Sequence, residues 1–165
     1  MQKTELVLEG VRVCHVKVFE PAETPSGDMK YSVSILIPED DKKNIAKFDA
    51  SIAAAIEKGI SDGKFNKVQA KKFKRGKGNG LPIRFGSEEY EAGDKGKEYN
   101  GHFFVNASAN VAYPPGVRDA RNAPLVDATE LFSGCYCHVH INLFPYNTAG
   151  NRGISAGLSN IMLFK

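Results

Sequence analysis

The chain has 165 residues, 42% of them hydrophobic and 25% charged, with a formal net charge of +3. That length suits one domain with its own core and is short for two, and so small a net charge does not by itself demand a polyanionic partner. No apolar run approaches the ~20 residues that span a bilayer, and the N-terminal MQKTELVLEG has no uninterrupted signal-peptide core. Three cysteines fit a reducing interior better than a disulfide framework. The expectation is a cytoplasmic protein with a single domain over residues 1–165.

In chain order, LVLEGVRVCHVKVFE (Leu6 to Glu20) is valine-rich and alternates with two slips of phase, one near Gly10. It predicts one long, bent strand with bulges. PAETPSGD is a turn cluster, and KYSVSILIP then alternates cleanly, with Tyr31, Val33, Ile35 and Ile37 on one face. PEDDKKNIAKFDASIAAAIEKG predicts the one main α-helix. Pro38 to Asp41 suit its first turn, Ile45, Phe48, Ile52, Ala55 and Ile56 form its buried stripe, and Gly59 suits its end.

From Lys64 to Lys77, KFNKVQAKKFKRGK carries seven basic residues and no acidic one. Such a run is either a solvated loop or helix face, or a phosphate-contacting segment; Phe65 and Phe73 within it lean toward nucleic acid. Glycine-rich loops around a short strand at Leu81–Phe85 follow. HFFVNASANVAY returns to period two, with Phe103, Val105, Ala107 and Ala109 opposite His102, Phe104, Asn106 and Ser108. PPGVRDARNAPLVDATELFSG reads as a long connection with a brief strand or turn near Leu125. A strand from GCYCHVHINLFPY, a hairpin at NTAGNRG and a last strand ISAGLSNIMLF complete the chain. The sum is a mainly β protein: about five strongly bent strands, one main helix, and residues 60–100 and 112–130 as long, partly flexible loop regions. An OB-fold-like five-stranded barrel fits, as do other small barrels.

GCYCHVHINLFPYN (Gly134 to Asn147) puts two cysteines and two histidines within six residues. On a strand, Cys135, Cys137, Val139, Ile141 and Leu143 point one way, and Tyr136, His138, His140, Asn142, Phe144 and Tyr146 the other. Cysteine and histidine therefore cannot share one zinc ion, whose ligands lie within ~2.3 Å, nor form a thiol–imidazole pair. A metal held by His138 and His140 would need a third ligand from elsewhere. The sequence has no HExxH, GxSxG or P-loop motif. What remains is an outward face of aromatics and hydrogen-bonding groups, matched in style by Phe104 beside His102, Asn106 and Ser108. Burial under a loop is one account of it. The other is unpaired bases, which need rings to stack on, worth about 1–3 kcal/mol each, and polar groups for their edges.

The C-terminal third, LFSGCYCHVHINLFPYNTAGNRGISAGLSNIMLF, resembles a family of bacteriophage single-stranded-DNA-binding proteins with an OB fold. The resemblance rests on Ser-Gly-Cys-Tyr at Ser133–Tyr136, Tyr-Asn at Tyr146–Asn147, Gly-Asn-Arg-Gly at Gly150–Gly153 and Ser-Ala-Gly-Leu at Ser155–Leu158. GHFFVNASA (Gly101–Ala109) and PPGV (Pro114–Val117) extend it, and it is weakest across residues 60–100. The resemblance implies sequence-tolerant binding of single-stranded DNA in phage replication, recombination or repair, with no catalysis, cofactor or metal. By matched position and chemistry, Phe104, Tyr113, Tyr136 and Tyr146 are stacking candidates. Arg152 in the glycine-bounded hairpin is either a phosphate contact or a solvated turn residue. Lys71, Lys72, Lys74 and Arg75 form an electrostatic funnel, and Arg118 and Arg121 close the groove from the long loop. His138 stands where relatives often carry arginine, which trades a permanent phosphate contact for a pH-dependent one. Many relatives recruit replication proteins through an acidic tail, whereas the sequence here ends in IMLFK; replication proteins and a homodimer stay open as partners. The alternatives are an adaptor or structural barrel binding another protein, a metal hydrolase using His138 and His140, and RNA in place of DNA.

Overall fold

The computed structural model describes residues 2–164. Its strands are β1 (Glu5–Glu23), β2 (Met29–Pro38), β3 (Ile83–Phe85), β4 (His102–Asn110), β5 (Gly116–Arg118), β6 (Tyr136–Thr148) and β7 (Asn151–Leu163). The helices are α1 (Lys42–Ser61), α2 (Lys67–Ala70) and α3 (Gly86–Glu91), with a 3-10 turn at Lys97–Tyr99. The strands form one sheet in the order β3-β4-β2-β1-β6-β7-β5. A parallel pairing of β4 with β7 at Ser108 and Gly157 closes β1, β2, β4, β7 and β6 into a five-stranded barrel. The fold is mainly β, as the alternation in the sequence predicts.

The barrel closes because β1 bends. Its register against β6 shifts between Leu8 and Val11, around Gly10 at φ +62°, and against β2 it shifts after Cys14, where His15 sits at φ +50°. The bulge has its backbone groups satisfied by side chains. Asn44 accepts from the Glu9 amide at 3.1 Å and donates to the Glu9 carbonyl at 3.0 Å, and His138 Nδ1 accepts from the Gly10 amide at 3.1 Å. Inside, Leu8, Val13, Ile35, Val105, Val139, Ile141 and Ile161 are fully buried, and α1 packs its Phe48, Ile52 and Ala55 face on β6, β1 and β7.

Four expectations need correction. Helix α1 begins after Asp41, whose side chain accepts from the Asn44 amide, while Pro38 is the last residue of β2. Gly59 lies inside the helix, where the Phe65 ring would overlap any β-carbon, at 2.2 Å. Gly59 therefore makes room for packing, and the turn comes later, at Gly63 (φ +75°). Phe65 and Phe73 do not face a ligand: they meet edge to face at 4.9 Å, Phe65 buried and Phe73 packed against the core. Residues 60–100, read as loops around one short strand, also hold α2, α3 and the 3-10 turn. No helix among the described residues is long and apolar enough to cross a membrane.

Candidate nucleic-acid interface

Burial along β6 alternates from Cys137 to Pro145, so one row of side chains faces outward, as the period-two reading requires. Along that row the structure places four groups of residues.

At the first end, Tyr136 is 46% exposed and paired in register with Arg12. Next come His138 and His140, beneath a cavity of about 290 Å³ that Arg118, Asn122 and Asn160 also line. His138 is already engaged, with Nδ1 on the Gly10 amide and its ring edge-to-face with Phe164 at 4.7 Å. Its first duty is thus to hold the bulge and the last strand. His140 Nδ1 lies 3.0 Å from the Asn160 amide, and its Nε2 is 3.6 Å from Glu5. The Arg118 guanidinium donates to the Asn122 carbonyl at 3.1 Å. Arg121, exposed further along the same loop, does not line this cavity.

The third group lies at the β4–β7 closure. Phe144, 39% exposed, shares a cleft of about 250 Å³ with Lys30, Asn110, Tyr113 and Asn142. Its ring stands beside Gly157, 3.5 Å from where a β-carbon would be. Tyr113 is 77% exposed at the rim. Phe144 is the functional candidate absent from the stacking set read from the sequence. Alternation had put it on the outward face, but its place at the closure depends on Gly157 and Ser108 meeting from distant strands.

The fourth group is the β6–β7 hairpin. Its two-residue loop, Ala149 and Gly150, has φ +51° and +90°, the backbone of a tight turn whose twist matches the strands. Tyr146 and Arg152 line a cleft of about 400 Å³ with Gly78 and Gly80. Two bonds tie the hairpin to the basic segment: Asn147 Nδ2 donates to the Lys64 carbonyl at 3.0 Å, and the Ile154 amide to the Gly80 carbonyl at 2.8 Å. Lys71, Lys72, Lys74 and Arg152 are exposed and have no ion-pair partner among the described residues.

Two residues of the sequence-based set fall out. Phe104 is fully buried, edge to face with Tyr99 at 5.0 Å under the 3-10 turn, with the Arg84 guanidinium 4.8 Å from its ring centre. No face of it is left for a base. Arg75 is spoken for: Nη2 donates to both Asp49 oxygens at 3.1 and 3.0 Å, and the guanidinium lies 4.8 Å from the Phe103 ring. It fastens the basic segment to α1, so the funnel is left to its neighbours.

Cys137 is core, on the face of β6 opposite the histidines, and Cys135, half-buried just before the strand, packs against that core. Burial, with Cys135 nearby, pushes the Cys137 thiol up to about 12, so it stays protonated and unreactive at neutral pH. Among the described residues no group of three or more His, Cys, Asp or Glu side chains could hold a metal ion.

Comparison with curated proteins finds no match. Among solved structures, the single-stranded DNA-binding protein of bacteriophage Enc34 in complex with ssDNA superposes with a TM-score of 0.77 at 20% identity, covering 98% of this chain and 86% of that one. A C-terminal truncation of the same phage protein gives 0.77 at 19%, over 99% and 87%. The single-stranded DNA binding protein of bacteriophage T7 gives 0.61 at 15%, over 96% and 85%. At these identities the likeness is one of fold. Residues 4–165 match the family described as Enterobacter phage Enc34, ssDNA-binding protein, and the chain belongs to that family.

Proposed function

We propose that this protein binds single-stranded DNA with little regard to sequence, stacking bases on the outward aromatics of β6 and neutralising phosphates with the basic segment. The observation that carries this reading is the continuity of the surface. Phe144 with Tyr113, then Tyr146 with exposed Arg152, lead along one strand face to a hairpin bonded to residues 64–80. Rings offer a stacking surface to any base, and lysine meets any phosphate, so the arrangement tolerates sequence. Family membership and the fold shared with a phage protein solved with ssDNA support the same conclusion. The role is non-catalytic, in phage replication, recombination or repair within the host cytoplasm, alongside the phage replication proteins.

The test is fluorescence anisotropy of a labelled poly-dT oligonucleotide at several salt concentrations, with duplex DNA and poly-U as competitors. Each phosphate contact contributes about −0.7 to the log–log salt slope for a single strand. A slope of several contacts with poor competition by duplex is expected; absence of binding at low salt would return the aromatic face to the protein-adaptor reading.

A further inference from the structure

Beside the hairpin, the segment Arg75-Gly76-Lys77-Gly78-Asn79-Gly80 carries three glycines at positive φ: Gly76 at +110°, Gly78 at +75° and Gly80 at +97°. The loop is held from every side except its tip. The Gly76 amide donates to the Ile83 carbonyl at 2.9 Å, the Lys74 amide to the Asn79 carbonyl at 3.0 Å, and Asn79 Nδ2 to the Arg75 carbonyl at 2.9 Å. Phe73 packs so closely on Gly80 that a β-carbon there would meet its ring at 2.5 Å, and the Gly80 carbonyl receives the Ile154 amide. At the tip, between Gly76 and Asn79, the backbone amides of Lys77 and Gly78 have no acceptor among the described residues. Gly78 has open space around its α-carbon and lines the cleft of about 400 Å³ shared with Tyr146, Thr148, Asn151 and Arg152.

The free Gly78 amide, a guanidinium, two hydroxyls and an amide side chain line this cleft, no carboxylate does, and Lys77 with its own free amide adjoins Gly78 in the chain. Each can donate a hydrogen bond, and successive glycine-rich backbone N–H groups are a recurrent device for holding oxyanions. We infer that the cleft between the glycine loop and the β6–β7 hairpin is a phosphate subsite. On the DNA-binding reading, on which this inference rests, one backbone phosphodiester fills it. The loop is pre-formed, so the contact costs little ordering. It also explains why the hairpin is bonded to the loop: the two halves of the clamp are Arg152 with the hydroxyls on one side, and the tip of the glycine loop on the other, where Lys77 adjoins Gly78.

The experiment is an amide-resolved NMR titration of the intact protein with poly-dT oligonucleotide, the same oligonucleotide with neutral methylphosphonate linkages, and inorganic phosphate. Anisotropy salt titrations of wild type and Lys77→Ala run in parallel. The expected result is that poly-dT moves the Lys77 and Gly78 amide resonances downfield, the neutral oligonucleotide leaves them in place, and Lys77→Ala lowers the salt slope by about 0.7. If poly-dT binds but leaves both amides and the slope unchanged, the subsite is overturned while the DNA-binding reading stands. If poly-dT does not bind but inorganic phosphate moves both amides, the subsite holds for a free phosphate and the DNA-binding reading falls. Silence in every arm overturns both.

Discussion

Phe104 and Phe144 carry the same ring on the outward parity of β4 and β6, the two strands that flank β7 in the barrel, and they end in opposite environments. Phe104 is sealed beneath the 3-10 turn and α3, with Arg84 and Lys95 near its face. Arg84 in turn pairs with the nearly buried Glu89, its Nε at 2.8 Å. Phe144 stands beside Gly157 in an open cleft and stays 39% exposed. Their alanine variants should therefore separate stability from binding. Phe104→Ala is expected to cost about 3–5 kcal/mol in chemical denaturation, the range for an emptied aromatic site, with the affinity of the folded fraction for poly-dT unchanged. Phe144→Ala is expected to leave the denaturation midpoint nearly in place and weaken poly-dT binding by about 1–3 kcal/mol in anisotropy. An unchanged affinity for the second variant would remove the closure cleft from the DNA path.

Between elements, two junctions shape the candidate site. One joins α1 to the bulge of β1. Lys47 and Lys43 each bring an ammonium to 3.0 Å from Glu9, and together they hold its carboxyl down from 4.5 to about 2. A depressed carboxyl stabilises the fold above its unfolded value, and that contribution disappears as pH falls through the folded value. Glu9→Gln should thus be less stable than wild type at neutral pH, the gap narrowing below about pH 4.5 and closing near pH 2. Glu9 is half exposed, so added salt should shrink the gap; thermal melts across pH and salt measure both. The other junction joins the hairpin to the glycine loop. A β-carbon at Gly153 would stand 2.5 Å from the Gly80 carbonyl oxygen and 2.9 Å from Tyr146 Oη. Gly153→Ala should push the two apart, costing about 1–3 kcal/mol of stability as an overpacked contact. It should also weaken poly-dT binding, since Tyr146 and Arg152 move away from the basic segment. Full affinity in that variant would show that the junction is only structural.

At the scale of the molecule, much was legible before any coordinates. The two phase slips in β1, the alternation of β2 and β4, the stripe of α1 and the NTAGNRG hairpin are local periodicities, and a period survives whatever the chain packs against. The same rule separated Cys137 from His138 and His140, and so excluded a zinc or thiol–imidazole site within that strand. Period two, however, reports only which side of its own strand a residue takes. Whether an outward ring is open or covered depends on segments far away in sequence, and residues 86–99 cover Phe104 but not Phe144. Whether a basic residue is free depends on its partner, and Asp49, on a helix that precedes the basic run, claims Arg75, while Lys71, Lys72 and Lys74 have no ion-pair partner among the described residues. The sequence by itself thus determined the strands, their faces and the stock of rings and charges. Only the tertiary structure decided which of them meet at one surface, because closing β4 onto β7 and docking the glycine loop on the hairpin are long-range contacts with no local signature.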